Sequence, residues 1–198
     1  MDRLGQSWDR RQGAYRDGKE AITIQSSVEI SKPAQEVWDF AMSPHSSVLL
    51  DHHHIRSFPV PGTPEGVGHQ SCSMDRAANG RISVTVSERV EYEPPHRLVV
   101  KTLSGPSEAL VLMVIKPTPT GCTYTTSVGM RIAYGTSRKV APVAQQRLDE
   151  MAAKVRSFVE SGIRLETVKG SRESADDAGE PEAAPIVETP RSWPNGLT

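Results

Sequence analysis

Glu88 sits in the even series Val84, Val86, Glu88, Val90 and Tyr92 of the stretch RISVTVSERVEYE. Strict alternation assigns one such series to the buried face of a strand. A carboxylate among those apolar neighbours must pair, accept hydrogen bonds or take up a proton. Two readings stand side by side. A twist or bulge returns Glu88 to solvent or to a structural arginine, or it is a cavity acid that orients a polar head group or acts as general acid/base. Glu88 is thus the one candidate catalytic residue.

Histidines form the second group. In an extended segment His52 and His54 share a face, and His69 from a nearby strand would bring a third nitrogen, as a zinc site needs. No other donor supports that set, so no metal is expected. A single histidine at a cavity mouth, His54 or His69, is the stronger reading. Tyr92 and Tyr124 lie in the apolar series of their strands, and each either places a hydroxyl in a cavity or packs as core with its hydroxyl at the rim. Cys72, Met74, Met113 and Met151 suit a loosely shaped apolar pocket and an ordinary core equally. The glycines of PGTPEGVG, Gly62, Gly66 and Gly68, make no phosphate cradle. The lysine and hydroxyl residue of a P-loop are missing and no helix follows. The loop is either a gate over the pocket or a tight connector.

These residues need a scaffold, and its main element is PVAQQRLDEMAAKVRSFVESG, from Pro142 to Gly162. Val143, Ala144, Leu148, Met151, Ala152, Val155, Phe158 and Val159 recur at spacings of three and four, which lays one apolar stripe along a helix. Glu150 with Lys154 and Arg156 with Glu160 are i,i+4 pairs on the opposite face. The helix is expected to begin near Pro142, because an interior proline costs about 3 kcal/mol. Upstream, AITIQSSVEIS reads as a strand and SKPAQEVWDFAMSP as a short helix with Ser31 as cap. A further helical turn over His45–Leu50 leads into about six antiparallel strands joined by turns such as Asn79-Gly80, Pro94-Pro95 and Gly105-Pro106. The segment Glu108–Lys116 is apolar on both faces, as suits a central strand or a subunit contact. Helices segregated from strands define an α+β protein.

Composition narrows the partners. With 23 basic and 24 acidic residues the formal charge is -1, which gives no global attraction to nucleic acid or an anionic membrane. Neither a run of about 18 to 20 apolar residues nor a signal-peptide core is present, and the two cysteines, Cys72 and Cys122, lack the spacing of a disulfide scaffold. A cytoplasmic location follows as the expectation. Residues 1–20 hold only Leu4, Trp8 and Tyr15 as large apolar groups, and residues 164–198 are polar, acidic and proline-containing. Both read as flexible extensions around a folded domain at 21–163.

ISKPAQEVWDFAMSP resembles the strand-to-helix opening of the START-like superfamily, in its SRPBCC, polyketide cyclase/dehydrase branch. PGTPEGVG is similar to the loop before that family's third strand, VEYEPPHRLVVK to its next strand corner and TPTGCTYTTSV to its last hairpin. The resemblance spans Ile22 to about Gly162. It implies a helix-grip (START/Bet v 1-like) fold of β-α-α-β6-α order, a curved antiparallel sheet wrapped around the long C-terminal helix. It also implies an apolar cavity between them. The expected function is binding of a hydrophobic or amphipathic small molecule, such as a lipid, polyketide or isoprenoid-like ligand, with no bound cofactor. Glu88, Tyr92, Tyr124, His54, His69, Cys72, Met74, Met113 and Met151 are the candidate contacts. The alternatives are a polyketide aromatase/cyclase or dehydratase, and an interaction module or homodimer that docks through the terminal extensions or strand 108–116.

Overall fold

The computed structural model describes residues 18–43, 45–76 and 80–162. The chain divides into units 1–165 and 166–198, and the second lies wholly outside the described residues, as do Trp8, Asn79 and the acidic extension. The element order is β1 (Lys19–Ile30), α1 (Ala34–Met42), α2 (Ser46–Leu50), β2 (His54–Pro59), β3 (Gln70–Arg76), β4 (Ile82–Glu93), β5 (Arg97–Ser104), β6 (Glu108–Thr118), β7 (Gly121–Ala133) and α3 (Ser137–Ser161). This is the expected β-α-α-β6-α order. The first strand begins two residues before Ala21. All seven strands form one antiparallel sheet in the order β1-β7-β6-β5-β4-β3-β2. Glu108–Lys116 is therefore a central strand, flanked by β5 and β7.

β1 and β2 are the two edges, and the chain passes from one to the other through α1 and α2. Both short helices pack against α3, α1 also against β6 and β7, and α2 also against β2. One face of the sheet is thus the helix side.

α3 runs beside β1 in the same direction and fastens to its free edge at three points. The Ser137 amide donates to the Glu20 carboxylate at 2.7 Å, and the Ser31 amide donates to Glu160 at 2.9 Å. Between them Gln145 brackets Gln25, its amide nitrogen donating to the Gln25 carbonyl at 2.8 Å and its oxygen accepting from the Gln25 amide at 3.3 Å. An edge strand leaves backbone groups unpaired, and these side chains supply the partners. Glu20 also explains why α3 starts at Ser137, five residues before the expected start. It satisfies the first free amide from another element, which helps to offset the interior Pro142. Ser31 likewise does not cap α1, whose N-cap position is Pro33 with no side-chain bond.

Beneath the C-terminal half of α3 the interior is filled. Ala152, Val155 and Val159 meet Ile30, Val37, Trp38, Ile115 and Cys122 in one buried cluster, and Phe40 stacks on Phe158 with ring centroids 6.0 Å apart. Each buried Val, Ile or Phe side chain of this cluster contributes about 1.5 to 3 kcal/mol. On the polar face Arg156 pairs with Glu160, but Lys154 leaves Glu150 and donates to the Leu50 carbonyl at 2.9 Å. Both cysteines are free thiols, and burial pushes that of Cys122 up.

The face assignment of β4 departs from simple alternation. Tyr92 pairs with Leu98 and Arg89 with Val100, yet the ladder slips between Arg89 and Glu91, leaving Val90 as a bulge. An extra residue reverses the faces of everything before it. Ser83, Thr85, Ser87 and Arg89 consequently share the helix side with Tyr92, whereas Ile82, Val84, Val86 and Glu88 point away from it. Exposure agrees, with Ile82 53% and Val84 49% open to solvent.

Candidate functional site

Toward the N-terminal half of α3 the filled interior opens into a cleft of about 540 Å³, lined by Ile24, Val128, Met130, Val140, Leu148 and Met151. Val143, expected in the buried stripe, is 69% exposed and stands at its rim. A second hollow of about 200 Å³ lies between the end of α1 and β2–β5, with Met42, Leu98, Val100, Ser71, His69 and Arg89 in its walls. The register connects the two. Ile24 pairs with Val128, Val128 with Val111, Val111 with Val100, and Val100 with Arg89. Paired residues share a face, so one apolar row crosses five strands on the helix side and ends in a guanidinium. Four strand spacings of about 4.8 Å make that row roughly 19 Å long.

Arg89 is held in place by its surroundings. One nitrogen donates to the Glu65 carbonyl at 2.7 Å, and the guanidinium carbon lies 4.9 Å from the centroid of the Tyr92 ring. Beside it the His69 Nδ1 donates to the Pro64 carbonyl at 2.8 Å. The glycine-rich loop therefore rests on Arg89 and His69 through its backbone carbonyls. A guanidinium carries five N–H donors, so Arg89 keeps donors for an oxygen of a ligand.

A third hollow, of about 190 Å³, separates α3 from the turn after α2 and shares Val143, Arg147 and Met151 with the main cleft. Across it Arg147 forms an ion pair with Asp51. Burial alone would raise the Asp51 carboxyl, but the His53 amide and Arg147 outweigh it and hold the group below its ordinary value.

Of the candidate residues, Met151 lines the main cleft and His69 the second hollow. Met113 and Tyr124 belong to the filled core, and burial pushes the Tyr124 hydroxyl up to about 12 despite its bond to Thr126. Tyr92 packs on Trp38 at 5.6 Å. Glu88 is corrected by the Val90 bulge: it faces away from the helices, opposite Lys101, and accepts from Gln70 at 3.2 Å. Cys72 and Met74 pair with Val86 and Val84 and share that outer face. His54 is turned to the helix side and bonded to Asp75. Arg89, Arg147 and Asp75 were not among the expected residues. The misfit of Glu88 in an apolar series was the signal that would have found Arg89, since a bulge exchanges the two. Among the described residues no cluster of metal-ligating side chains forms, and no helix is long and apolar enough to cross a membrane.

No family model and no curated protein matches the sequence. Solved structures do match. TTHA0849 from Thermus thermophilus is 14% identical with a TM-score of 0.59, over 72% of this chain and 100% of that one. The di-domain ARO/CYC StfQ from the steffimycin biosynthetic pathway is 15% identical with a TM-score of 0.62, over 77% of this chain and 55% of that one. Ara h 8.0201 is 11% identical with a TM-score of 0.57, over 71% and 99% of the two chains. Likeness at such identities establishes the fold. The chain has the START-like (SRPBCC), Bet v 1-like helix-grip fold, and it spans about half of the length of StfQ.

Proposed function

We propose that the chain binds an amphipathic small molecule on the helix side of the sheet, its apolar body along the row from Ile24 to Val100 and an oxygen-bearing head group at Arg89. The observation that carries this reading is that row, which opens into a 540 Å³ cleft at one end and stops at a guanidinium at the other. Burial of about 200 Å² of ligand apolar surface contributes about 5 kcal/mol, and the bond to Arg89 fixes orientation. Glu88, on the outer face, takes no part.

The test uses 11-(dansylamino)undecanoic acid and its methyl ester, followed by dansyl emission. Arg89→Met is expected to weaken the acid about ten- to hundredfold, the worth of a charged hydrogen bond, and to leave the ester unchanged. Loss of both to the same extent removes Arg89 from the head-group role. Failure of either probe to bind the native protein removes the cleft as a binding site.

A further inference from the structure

We propose that His54 and Asp75 form a proton-accepting pair that selects ligands carrying an acidic hydroxyl, a phenol or an enol. The proposal rests on the binding reading above and adds a second polar contact on the same face of the sheet.

The pair is built by the ladder. The β2–β3 register slips between His54 and Arg56, so Ile55 bulges out and His54 pairs with Asp75. Asp75 pairs in turn with Ser83, in the series Ser83, Thr85, Ser87 and Arg89, which faces the helices. His54 Nδ1 lies 2.9 Å from Asp75 Oδ1. An ionised carboxylate only accepts, so Nδ1 is the donor and the neutral ring presents its lone pair at Nε2. The His54 side chain is 8% exposed. Among the described residues its Nε2 is the buried side-chain nitrogen or oxygen with no hydrogen-bond partner. A buried acceptor left without a donor is costly, and a ligand hydroxyl that supplies the donor recovers that cost.

Asp75 stabilises the imidazolium that results, as an orienting carboxylate does in general acid/base pairs. The step balances: the ligand O–H bond breaks, an Nε2–H bond forms, and the oxyanion stays beside the imidazolium. Nothing is oxidised or reduced. α2 packs over β2, and the turn Leu50–His53 that follows it borders the hollow shared with α3. Arg147 and Lys154 fasten this turn, through the Asp51 carboxylate and the Leu50 carbonyl. His54 lines none of the hollows described above, so a ligand reaches Nε2 only if this segment moves.

The probes are 4-nitrophenol, whose oxyanion absorbs visible light, and its methyl ether 4-nitroanisole. The native protein is expected to bind the phenol about tenfold more tightly than the ether, one hydrogen bond's worth. It should also deepen the nitrophenolate band at a fixed pH where the free probe is partly protonated. His54→Gln should abolish both the preference and the added band, and Asp75→Asn should reduce them. In ¹⁵N-labelled native protein, which needs no variant to fold, His54 Nε2 should move to its protonated shift on adding the phenol. Equal binding of both probes with an unmoved Nε2 overturns the pair and leaves the cleft intact. No binding of either probe, nor of the dansyl acid, overturns both.

Discussion

Arg147 of α3 and Asp51 beyond α2 form an ion pair that ties the turn over β2 to the helix beside β1. The same carboxylate accepts from the His53 amide at 3.0 Å, so one side chain shapes the turn and anchors it. Arg147 is half exposed, and solvent screens such a pair to about 1 kcal/mol or less. Arg147→Ala is expected to lower Tm by at most about 4 °C, while amides 46–54 exchange faster and bound dansyl acid dissociates faster. Unchanged exchange in that segment would show that the turn is held by other contacts.

The cleft predicts its own plug. Ala144 lines it from α3, and a phenyl group there enters empty apolar space. Ala144→Phe should leave Tm unchanged or raise it, since added apolar burial contributes about 0.8 kcal/mol per methylene equivalent. Dansyl-acid binding should fall at least about tenfold, or 1.4 kcal/mol. A variant that binds as well as the native protein places the ligand elsewhere.

Gly121 opens β7 where the β6–β7 hairpin passes the end of β1. A Cβ there would overlap the Ile30 carbonyl oxygen and sit 2.9 Å from the Lys32 amide nitrogen. Both obstacles are backbone, so no side chain can swing aside. Gly121→Ala is expected to cost more than about 3 kcal/mol, in the range of severe overpacking. Chemical denaturation measures it, and a loss under about 1 kcal/mol would contradict the close approach.

Much of the architecture was legible in the sequence because its signals are local. The three- and four-residue spacing from Leu148 to Val159 matches the buried stripe of α3, and alternation, apolar runs and turn residues together located the strands. The site was less legible because it depends on two one-residue slips. Val90 and Ile55 are ordinary strand residues by type, yet as bulges they decide which side of β4 and β2 meets the helices. Alternation assigned the apolar series Ile82, Val84 and Val86 to the interior, but packing demands apolar groups only where α1 and α3 touch the sheet. On β3 and β4 the helix side borders the second hollow, and Ser71, bonded to Ser87 at 3.0 Å, lines it instead. The start of α3 was missed for a related reason, since Glu20 lies more than a hundred residues away in sequence.

Acid should loosen α3 from its ends. The Glu20 carboxyl is held below its ordinary value by the Ser137 amide, and Glu160 by the Ser31 amide together with Arg156. A folded value below the unfolded one means that this contribution is fully present above the ordinary carboxylate range. It is lost as pH falls through that range and past the folded value. Tm should therefore fall between about pH 5 and pH 3, and the amides of Ser137 and Ser31 should exchange faster there. Gln145 carries no titrating group, so its hold on Gln25 persists and the middle of the helix stays docked while both ends fray. The double variant Glu20→Gln with Glu160→Gln keeps an acceptor at each position but removes the titration. It should be somewhat less stable than the native protein at pH 7 and lose less on acidification. An acid slope identical to that of the native protein would assign the acid response to other carboxylates and leave these two as passive partners.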